Sequence, residues 1–364
     1  MTRDDARFMA RALQLAARAR GRTSPNPMVG AVLVSGGRVI GEGYHHRAGE
    51  PHAEVLALRA AGKAARGATL YVTLEPCCHH GRTPPCTEAV IGAGVARVVA
   101  AMRDPDPRVA GKGLAAFRRA GVAVEVGPLE VEARRLNEAY LKRVTTGLPF
   151  VSLKTAMSLD GKIATAGGES QWITGERARA YGHRLRGEHD AILTGVETVL
   201  ADDPQLTVRA ARGRNPQRVV ADSRGRTPTA ARVLTADERP AIIAVTDRTP
   251  ERRRAALETA GADVWVLPAR EGRVDLEALL RKLAANGVSS VLVEAGGTLA
   301  AGALAAGLVD RVYFFIAPCL LGGASARTPV EGAGVARLAE RHCLHDLRVR
   351  RVGEDVLVVG EVAP

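Results

Sequence analysis

With 364 residues, 46% of them hydrophobic, and no apolar run long enough to cross a bilayer, the chain has core material for two soluble domains. A formal charge of +12 attracts phosphate, but aromatics are only 3% and the arginines are scattered, so neither a base-stacking nucleic-acid surface nor a membrane role is expected. Five cysteines, with a close group at Cys77, Cys78 and Cys86, argue for a metal and a reducing cytoplasm over disulfides, and the charged start Met1-Thr2-Arg3-Asp4-Asp5 is no secretory signal.

Thr2 and Asp5 suggest the cap of a helix that carries Phe8, Met9, Leu13 and Leu15 toward Gly21. Residues 31–34 and 38–43 read as a hairpin around Ser35-Gly36-Gly37, residues 53–65 as a helix and 68–74 as a strand. Helices near 87–91, 113–120 and 130–143 then alternate with strands at 97–101 and 122–126, the pattern of an α/β layer sandwich. The pattern breaks at Thr146-Gly147-Leu148-Pro149, which places a domain boundary between residues 1–147 and 148–364. Beyond it, strands are expected at 150–154, 191–194, 218–221, 241–245, 263–267, 290–294, 311–317 and 356–359, with helices between them: a second α/β domain.

The first domain carries His52-Ala53-Glu54, then Pro76-Cys77 at the end of a strand, then Cys86. One imidazole and two thiolates complete three corners of a tetrahedral zinc site and leave the fourth for water, whose pKa zinc lowers toward about 7. Glu54, on the first turn of the expected helix, can take a proton from that water and deliver it to a ring nitrogen and departing ammonia. The spacer from Cys77 to Cys86 is longer than the usual C-x-x-C. Cys78 could compete as a ligand, but adjacent residues rarely point to one metal, so Cys77 and Cys86 are preferred.

In the second domain, residues 289–302 read as an apolar strand, a Gly296-Gly297 turn and a helix, where backbone N–H groups could hold a pyrophosphate. This is not the G-x-G-x-x-G fingerprint, so a Rossmann domain is unsupported. Lys154, Asp202, Arg209 and Glu294 stand where apolar strands are expected to end and could orient a polar substrate. Trp172 reads as a core residue by default, or as a plane for stacking on a ring, and Cys319 and Cys343 as inert core residues.

Taken together, these motifs resemble one family along essentially the whole chain, the bifunctional riboflavin-biosynthesis deaminase/reductase. Pro25-Asn26-Pro27-Met28-Val29-Gly30, Gly49-Glu50-Pro51-His52-Ala53-Glu54 and Thr73-Leu74-Glu75-Pro76-Cys77 onward to Cys86 are similar to its deaminase domain, and the long cysteine spacer is itself the family's form. Leu153-Lys154-Thr155-Ala156-Met157-Ser158-Leu159-Asp160-Gly161, Ser170-Gln171-Trp172-Ile173-Thr174, Thr198-Val199-Leu200-Ala201-Asp202-Asp203-Pro204 and the turn from Glu294 to Gly302 resemble its reductase. The resemblance implies a cytidine-deaminase-like three-layer α/β sandwich followed by a dihydrofolate-reductase-like domain.

It also implies two consecutive steps: hydrolytic deamination of 2,5-diamino-6-(5-phosphoribosylamino)pyrimidin-4(3H)-one, then NADPH reduction of the ribosyl chain to ribityl. Zinc would rest on His52, Cys77 and Cys86, with Glu54 as proton shuttle and Asn26, His45, His79 and Arg82 near the substrate. NADPH would lie against Ala156, Trp172, Thr198, Asp202, Ser223 and the turn Gly296, Gly297, Thr298, Leu299, Ala300, Ala301 and Gly302. Ser170, Arg186, Leu206, Arg209 and Glu294 would meet the reductase substrate, the two arginines suiting its phosphate. Lys154, Asp202 and Glu294 would polarise or protonate the open-chain imine, and a homo-oligomer is expected. Two other readings are a nucleic-acid base deaminase with a C-terminal binding module, which needs the basic and aromatic clusters absent here, and a second domain acting only as a regulatory nucleotide scaffold.

Overall fold

The structure, a computed structural model, describes residues 3–80 and 84–363. The chain divides into two compact units, Met1–Gly147 and Leu148–Pro364. Among the described residues no helix is long and apolar enough to cross a membrane.

The first unit runs α1 (Arg3–Ala17), β1 (Gly30–Ser35), β2 (Arg38–Tyr44), α2 (Ala53–Ala61), β3 (Thr69–Val72), α3 (Cys86–Gly92), β4 (Arg97–Ala100), α4 (Lys112–Arg119), β5 (Ala123–Val126), α5 (Glu130–Leu136) and α6 (Glu138–Thr146). Its sheet has the order β2-β1-β3-β4-β5, with β1 antiparallel to both neighbours and β3, β4 and β5 parallel. Alternation along β1 sends Ala31 and Leu33 to one face and Val32 and Val34 to the other. The first face packs on Ala57, Val90, Leu114 and Phe117 of α2, α3 and α4; the second packs on Phe8, Met9, Ala133 and Tyr140 of α1, α5 and α6. Three layers result. The loops that leave the parallel strands at their C-terminal ends then gather at one edge, where open α/β sheets hold their ligands.

Two departures from the sequence reading have local causes. The helix expected over 53–65 changes after Ala61 to a 3₁₀ turn, Gly62–Ala65, entered through Gly62 at φ 54°. The helix expected over 130–143 breaks into α5 and α6 because buried Asn137 turns its amide onto Met28, accepting from its N–H at 2.8 Å and donating to its carbonyl at 2.9 Å.

The second unit runs β6 (Phe150–Ser158), α7 (Glu176–Glu188), β7 (Ala191–Gly195), α8 (Val196–Asp202), β8 (Gln217–Ala221), α9 (Arg232–Thr235), β9 (Ile242–Val245), α10 (Glu251–Thr259), β10 (Asp263–Val266), a small hairpin β11 (Ala269–Arg270) and β12 (Arg273–Val274), α11 (Leu276–Ala285), β13 (Ser290–Val293), α12 (Gly297–Ala305), β14 (Arg311–Ala317), β15 (Leu344–Val352) and β16 (Asp355–Val362). Its large sheet has the order β10-β9-β8-β7-β13-β6-β14-β16-β15. It is parallel from β10 to β14 and closes with two antiparallel strands. Central strands are buried on both faces: in β7, Ala191 and Leu193 face one core cluster and Ile192 the other.

Several expectations for this unit are corrected. β6 extends to Ser158, so Lys154 sits in mid-strand opposite Tyr313 of β14, not at a strand end. Asp202 ends a helix and Arg209 lies in a loop. Trp172 is 68% exposed, Cys319 half-buried and Cys343 exposed, so none of the three is a core residue. The strand β15 was not expected because its side chains from Leu344 to Arg351 are all exposed, which leaves no inside-outside alternation to read.

The seat of α2 is the tightest packing near the zinc motif. A Cβ on Gly43 would lie 2.5 Å from the Ala53 carbonyl oxygen, and one on Gly41 2.3 Å from that of Ala57. Gly43→Ala is therefore expected to destabilise the first unit by about 1–3 kcal/mol through backbone overpacking. A lowered denaturant midpoint for that unit, with the second unit unchanged, would be the sign.

Candidate active sites

His52 immediately precedes α2, and Ala53 and Glu54 form its first turn; Cys77 follows the end of β3, and Cys86 begins α3. Three separate segments therefore meet at one edge of the sheet. The His52 Nδ1 and the Sγ atoms of Cys77 and Cys86 all lie within 4.8 Å of one another, with His52 Nδ1 3.2 Å from Cys86 and 3.5 Å from Cys77. Cys78 turns the other way, toward the Arg108 carbonyl at 3.9 Å.

The electrostatics suit a cation. Cys86 donates to Cys77, holding the Cys77 thiol far below its ordinary value at about 4, and the same shared proton pushes Cys86 up. His52 is raised, chiefly by the Cys77 sulfur. Glu54 is 3% exposed, and burial followed by the Cys77 charge pushes its carboxyl up. Two sulfurs and an imidazole sharing protons this closely form a donor set that a soft divalent ion would replace those protons on, so the residues fit zinc.

Beside this group stands His45, 2% exposed, its ring edge-on to His52 at 5.1 Å. Its Nδ1 faces the Pro51 carbonyl at 3.3 Å and so carries the proton, leaving Nε2 to accept from the Asn26 amide at 3.1 Å. Burial lowers the His45 pKa, in keeping with a neutral ring. That chain fixes the orientation of the Asn26 amide. His79 has its Nδ1 buried with no partner among the described residues. Arg82 lies outside the described residues.

Sequence reasoning missed the wall behind the cysteines. Asp104 is buried, its carboxyl accepts from the Tyr140 hydroxyl at 2.9 and 3.0 Å, and burial raises it to about 6. Asp106 forms a fork with Arg108, which pulls its carboxyl down. The signal available was the turn-forming run Asp104-Pro105-Asp106-Pro107 after β4.

In the second unit, Glu294 follows β13, and its carboxyl receives Arg186 Nε and Nη2, each at 2.9 Å, with Lys154 Nζ at 3.6 Å. Burial alone would raise Glu294, but Arg186 and Lys154 hold it well below the usual carboxylate range. Arg186 also donates to the Thr207 carbonyl at 3.1 Å, so much of its fork is already engaged. Arg209 reaches Gln205 at 2.8 Å and the Thr207 hydroxyl at 3.1 Å, while its backbone N–H donates to His183. Leu206, buried at φ 56°, makes the bend that brings Thr207 and Arg209 to this cluster. His183 and Thr207 were not foreseen.

Asp202 belongs to another pair, accepting from Ser170 at 2.9 Å. Ala156 lies on β6 and Thr198 on α8, both half-buried, and exposed Trp172 carries the Arg179 guanidinium 4.8 Å above its ring. Ser223 accepts from the Val274 N–H at 2.9 Å. The turn Gly296-Gly297 leads into α12, where Thr298 donates to Glu331 at 3.0 Å and Leu299, Ala300, Ala301 and Gly302 complete the helix start. A Cβ on Gly297 would lie 2.4 Å from the Thr328 carbonyl oxygen, so glycine is required by close approach. Thr194, wholly buried at the end of β7, has a hydroxyl with no partner among the described residues.

Residues 2–102 match the family model of the cytidine and deoxycytidylate deaminase zinc-binding region, and residues 149–358 match that of the RibD C-terminal domain. The riboflavin biosynthesis protein RibD of Escherichia coli K12 is 48% identical over 359 residues, covering 97% of this chain and 98% of that protein. The RibD protein of Aquifex aeolicus is 43% identical, covering 97% of each. Among solved structures, Acinetobacter baumannii RibD, form 1, superposes with a TM-score of 0.90 at 41% identity over 99% of both chains. A Thermotoga maritima structure, described as a diaminohydroxyphosphoribosylaminopyrimidine deaminase/5-amino-6-(5-phosphoribosylamino)uracil reductase, gives 0.85 at 37% identity over 99% of both.

The sulfur geometry separates the three cysteines of the loop. Cys78→Ser should retain one zinc per chain by elemental analysis, whereas Cys77→Ser and Cys86→Ser should each lose most of it. Equal loss in all three would remove Cys77 and Cys86 from their special place.

Proposed function

The chain belongs to the RibD family of bifunctional riboflavin-biosynthesis deaminase/reductases, and from that premise we propose that Met1–Gly147 is its deaminase and Leu148–Pro364 its reductase. The enzyme uses zinc for the first step and NADPH for the second. Its substrate is 2,5-diamino-6-(5-phosphoribosylamino)pyrimidin-4(3H)-one, and its product 5-amino-6-(5-phosphoribitylamino)uracil. The observation that carries this reading is the convergence of His52, Cys77 and Cys86 beside buried Glu54, on a chain whose second unit gathers Lys154, Arg186 and Glu294.

His52, Cys77 and Cys86 would hold zinc. When bound, zinc acidifies a water toward a pKa of about 7, and NADPH supplies a hydride. Glu54 takes the water's proton on its carboxyl and delivers it to the ring nitrogen as the oxygen bonds to the amino-bearing carbon; it then moves the proton of the new hydroxyl to the amine, which leaves as ammonia as the carbonyl forms. Asn26, fixed by His45, accepts from the pyrimidine edge, and His79 and Arg82 are assigned to the same substrate. In the reductase, Ala156, Trp172, Thr198, Asp202, Ser223 and residues 296–302 receive NADPH. Ser170 and Leu206 hold the sugar chain, and Glu294, kept ionised by its two cations, orients Lys154 to deliver a proton toward the imine. Arg209, whose fork is less engaged than that of Arg186, receives the phosphate.

The enzyme works in the cytoplasm as a homo-oligomer. The supporting feature is β15, an edge strand that exposes Leu344, Leu347 and Val349, an apolar surface suited to a second copy. Sedimentation at a monomer's rate across micromolar concentrations would remove the oligomer from this reading.

Following ammonia release and NADPH oxidation together tests the assignment. Glu54→Gln should keep zinc, lose ammonia release by about 10²–10⁴-fold and still reduce the deaminated substrate. Asp202→Ala should do the reverse, sparing ammonia release while slowing NADPH oxidation. A purified chain that consumes no NADPH with the aminouracil ribosyl phosphate would defeat the two-step reading.

A further inference from the structure

Glu75 lies two residues before Cys77, is 3% exposed, and is not called on by the deaminase chemistry. Its carboxyl accepts three backbone N–H groups: Oε2 takes those of Asp104 at 3.2 Å and Gly111 at 3.0 Å, and Oε1 takes that of Leu114 at 3.1 Å. Gly111 and Leu114 are the cap and third positions of α4, whose orphan N–H groups would ordinarily be met by a capping side chain. Glycine has none to offer. The cap therefore comes from a remote residue, on the segment that carries a zinc ligand.

We propose that Glu75 is a positioning residue for the zinc site, fixing Cys77 by tying the Glu75-Pro76-Cys77 segment to the start of α4 and the loop after β4. The linkage is short and stiff. Only Pro76, with its ring-locked φ, separates the two residues. The Pro76 carbonyl is itself pressed against α4, since a Cβ on Gly113 would lie 2.3 Å from its oxygen. From the other side the Cys77 carbonyl accepts from Thr87 at 3.2 Å, and its sulfur accepts from the Cys86 N–H at 3.4 Å. With α4 gripping one end and α3 the other, the Cys77 sulfur has little freedom, which is what a ligand that must not drift requires.

The inference rests on zinc at His52, Cys77 and Cys86, so wild-type zinc content is measured first: a chain that binds no zinc fails that earlier assignment, not this one alone. The test then uses the full zinc-loaded chain and Glu75→Gln, which keeps the shape but turns an NH₂ toward N–H donors. Zinc release to an excess of a chromogenic chelator should speed up about 10–100-fold, the usual effect of losing a support of a metal ligand. The thiolate and d–d bands of the cobalt-substituted protein should shift, while NADPH oxidation stays at the wild-type rate. Leu114→Ala is the control, because it removes core packing in the same unit but leaves every N–H that Glu75 accepts. Wild-type zinc release and cobalt bands in Glu75→Gln, or equal changes in Leu114→Ala at matched stability loss, would overturn the proposal. If Glu75→Gln does not fold its first unit, Glu75→Asp, which keeps both acceptor oxygens on a shorter stem, takes its place with the same readouts. Failure of both to fold would assign Glu75 to folding alone and also overturn it.

Discussion

A site built from His52, Cys77 and Cys86 requires three chain segments to agree in position, and the constraint that makes agreement possible is the absence of side chains at Gly41 and Gly43. Helix α2 carries Glu54 and follows directly on His52, and it can settle on β2 only because a Cβ at either glycine would meet its backbone at 2.3 or 2.5 Å. From that seat, the helix start faces the loop after β3, where Cys77 waits, and the beginning of α3, where Cys86 stands. The fold thus delivers a rigid histidine on one side and two cysteines on the other. Cys77 stands in the loop after β3, which ends at Val72, and Cys86 begins α3.

The two halves of the enzyme treat a buried glutamate in opposite ways. Glu54 has burial and a neighbouring thiolate acting on it, and both raise its pKa, which strengthens its carboxylate as a proton acceptor. Glu294 is buried as well, but Arg186 and Lys154 reverse the effect of burial and hold it ionised. The difference lies in the partners and not in the degree of enclosure. Proton transfer with ammonia loss needs a carboxyl that can be loaded and unloaded. Hydride transfer to a polar sugar chain needs fixed charge and alignment, which an ion-paired carboxylate provides.

The parts legible in the sequence were those in which chemistry and local structure share the same residues. His52-Ala53-Glu54 announces both a ligand and a helix start, and Pro76-Cys77 a ligand, although the strand before it ends at Val72, short of the expected 74. The Gly296-Gly297 turn was likewise visible as strand, turn and helix. Where tertiary contacts decide, the sequence was silent. Asn137 reads as an ordinary helix residue until its amide is seen to grip Met28 across the unit. The edge strand β15 could not be read because its side chains from Leu344 to Arg351 are all exposed, which leaves no alternation. Lys154 was placed at a strand end because apolar residues stop there, although β6 continues through it to Ser158. Capping of α4 by Glu75 joins residues more than thirty positions apart, beyond any local pattern.

Arginine chemistry shows how the structure redistributes roles that the sequence had assigned equally. Arg186 and Arg209 both looked suited to a phosphate, since each offers a planar fork. The Arg186 fork is spent on Glu294 and on the Thr207 carbonyl, so a phosphate there would have to break a buried ion pair and leave a carboxylate uncompensated. Among the described residues, the Arg209 guanidinium is held by neutral groups, Gln205 and the Thr207 hydroxyl, and its pKa is lowered by partial burial and by the nearby charges of Arg186 and Arg232. An arriving phosphate dianion would relieve that repulsion at little cost, exchanging neutral hydrogen bonds for charged ones. In the proposed assignment, the same arginine pair therefore divides its work: one guanidinium keeps Glu294 ionised, and the other remains available to the substrate because the first is occupied.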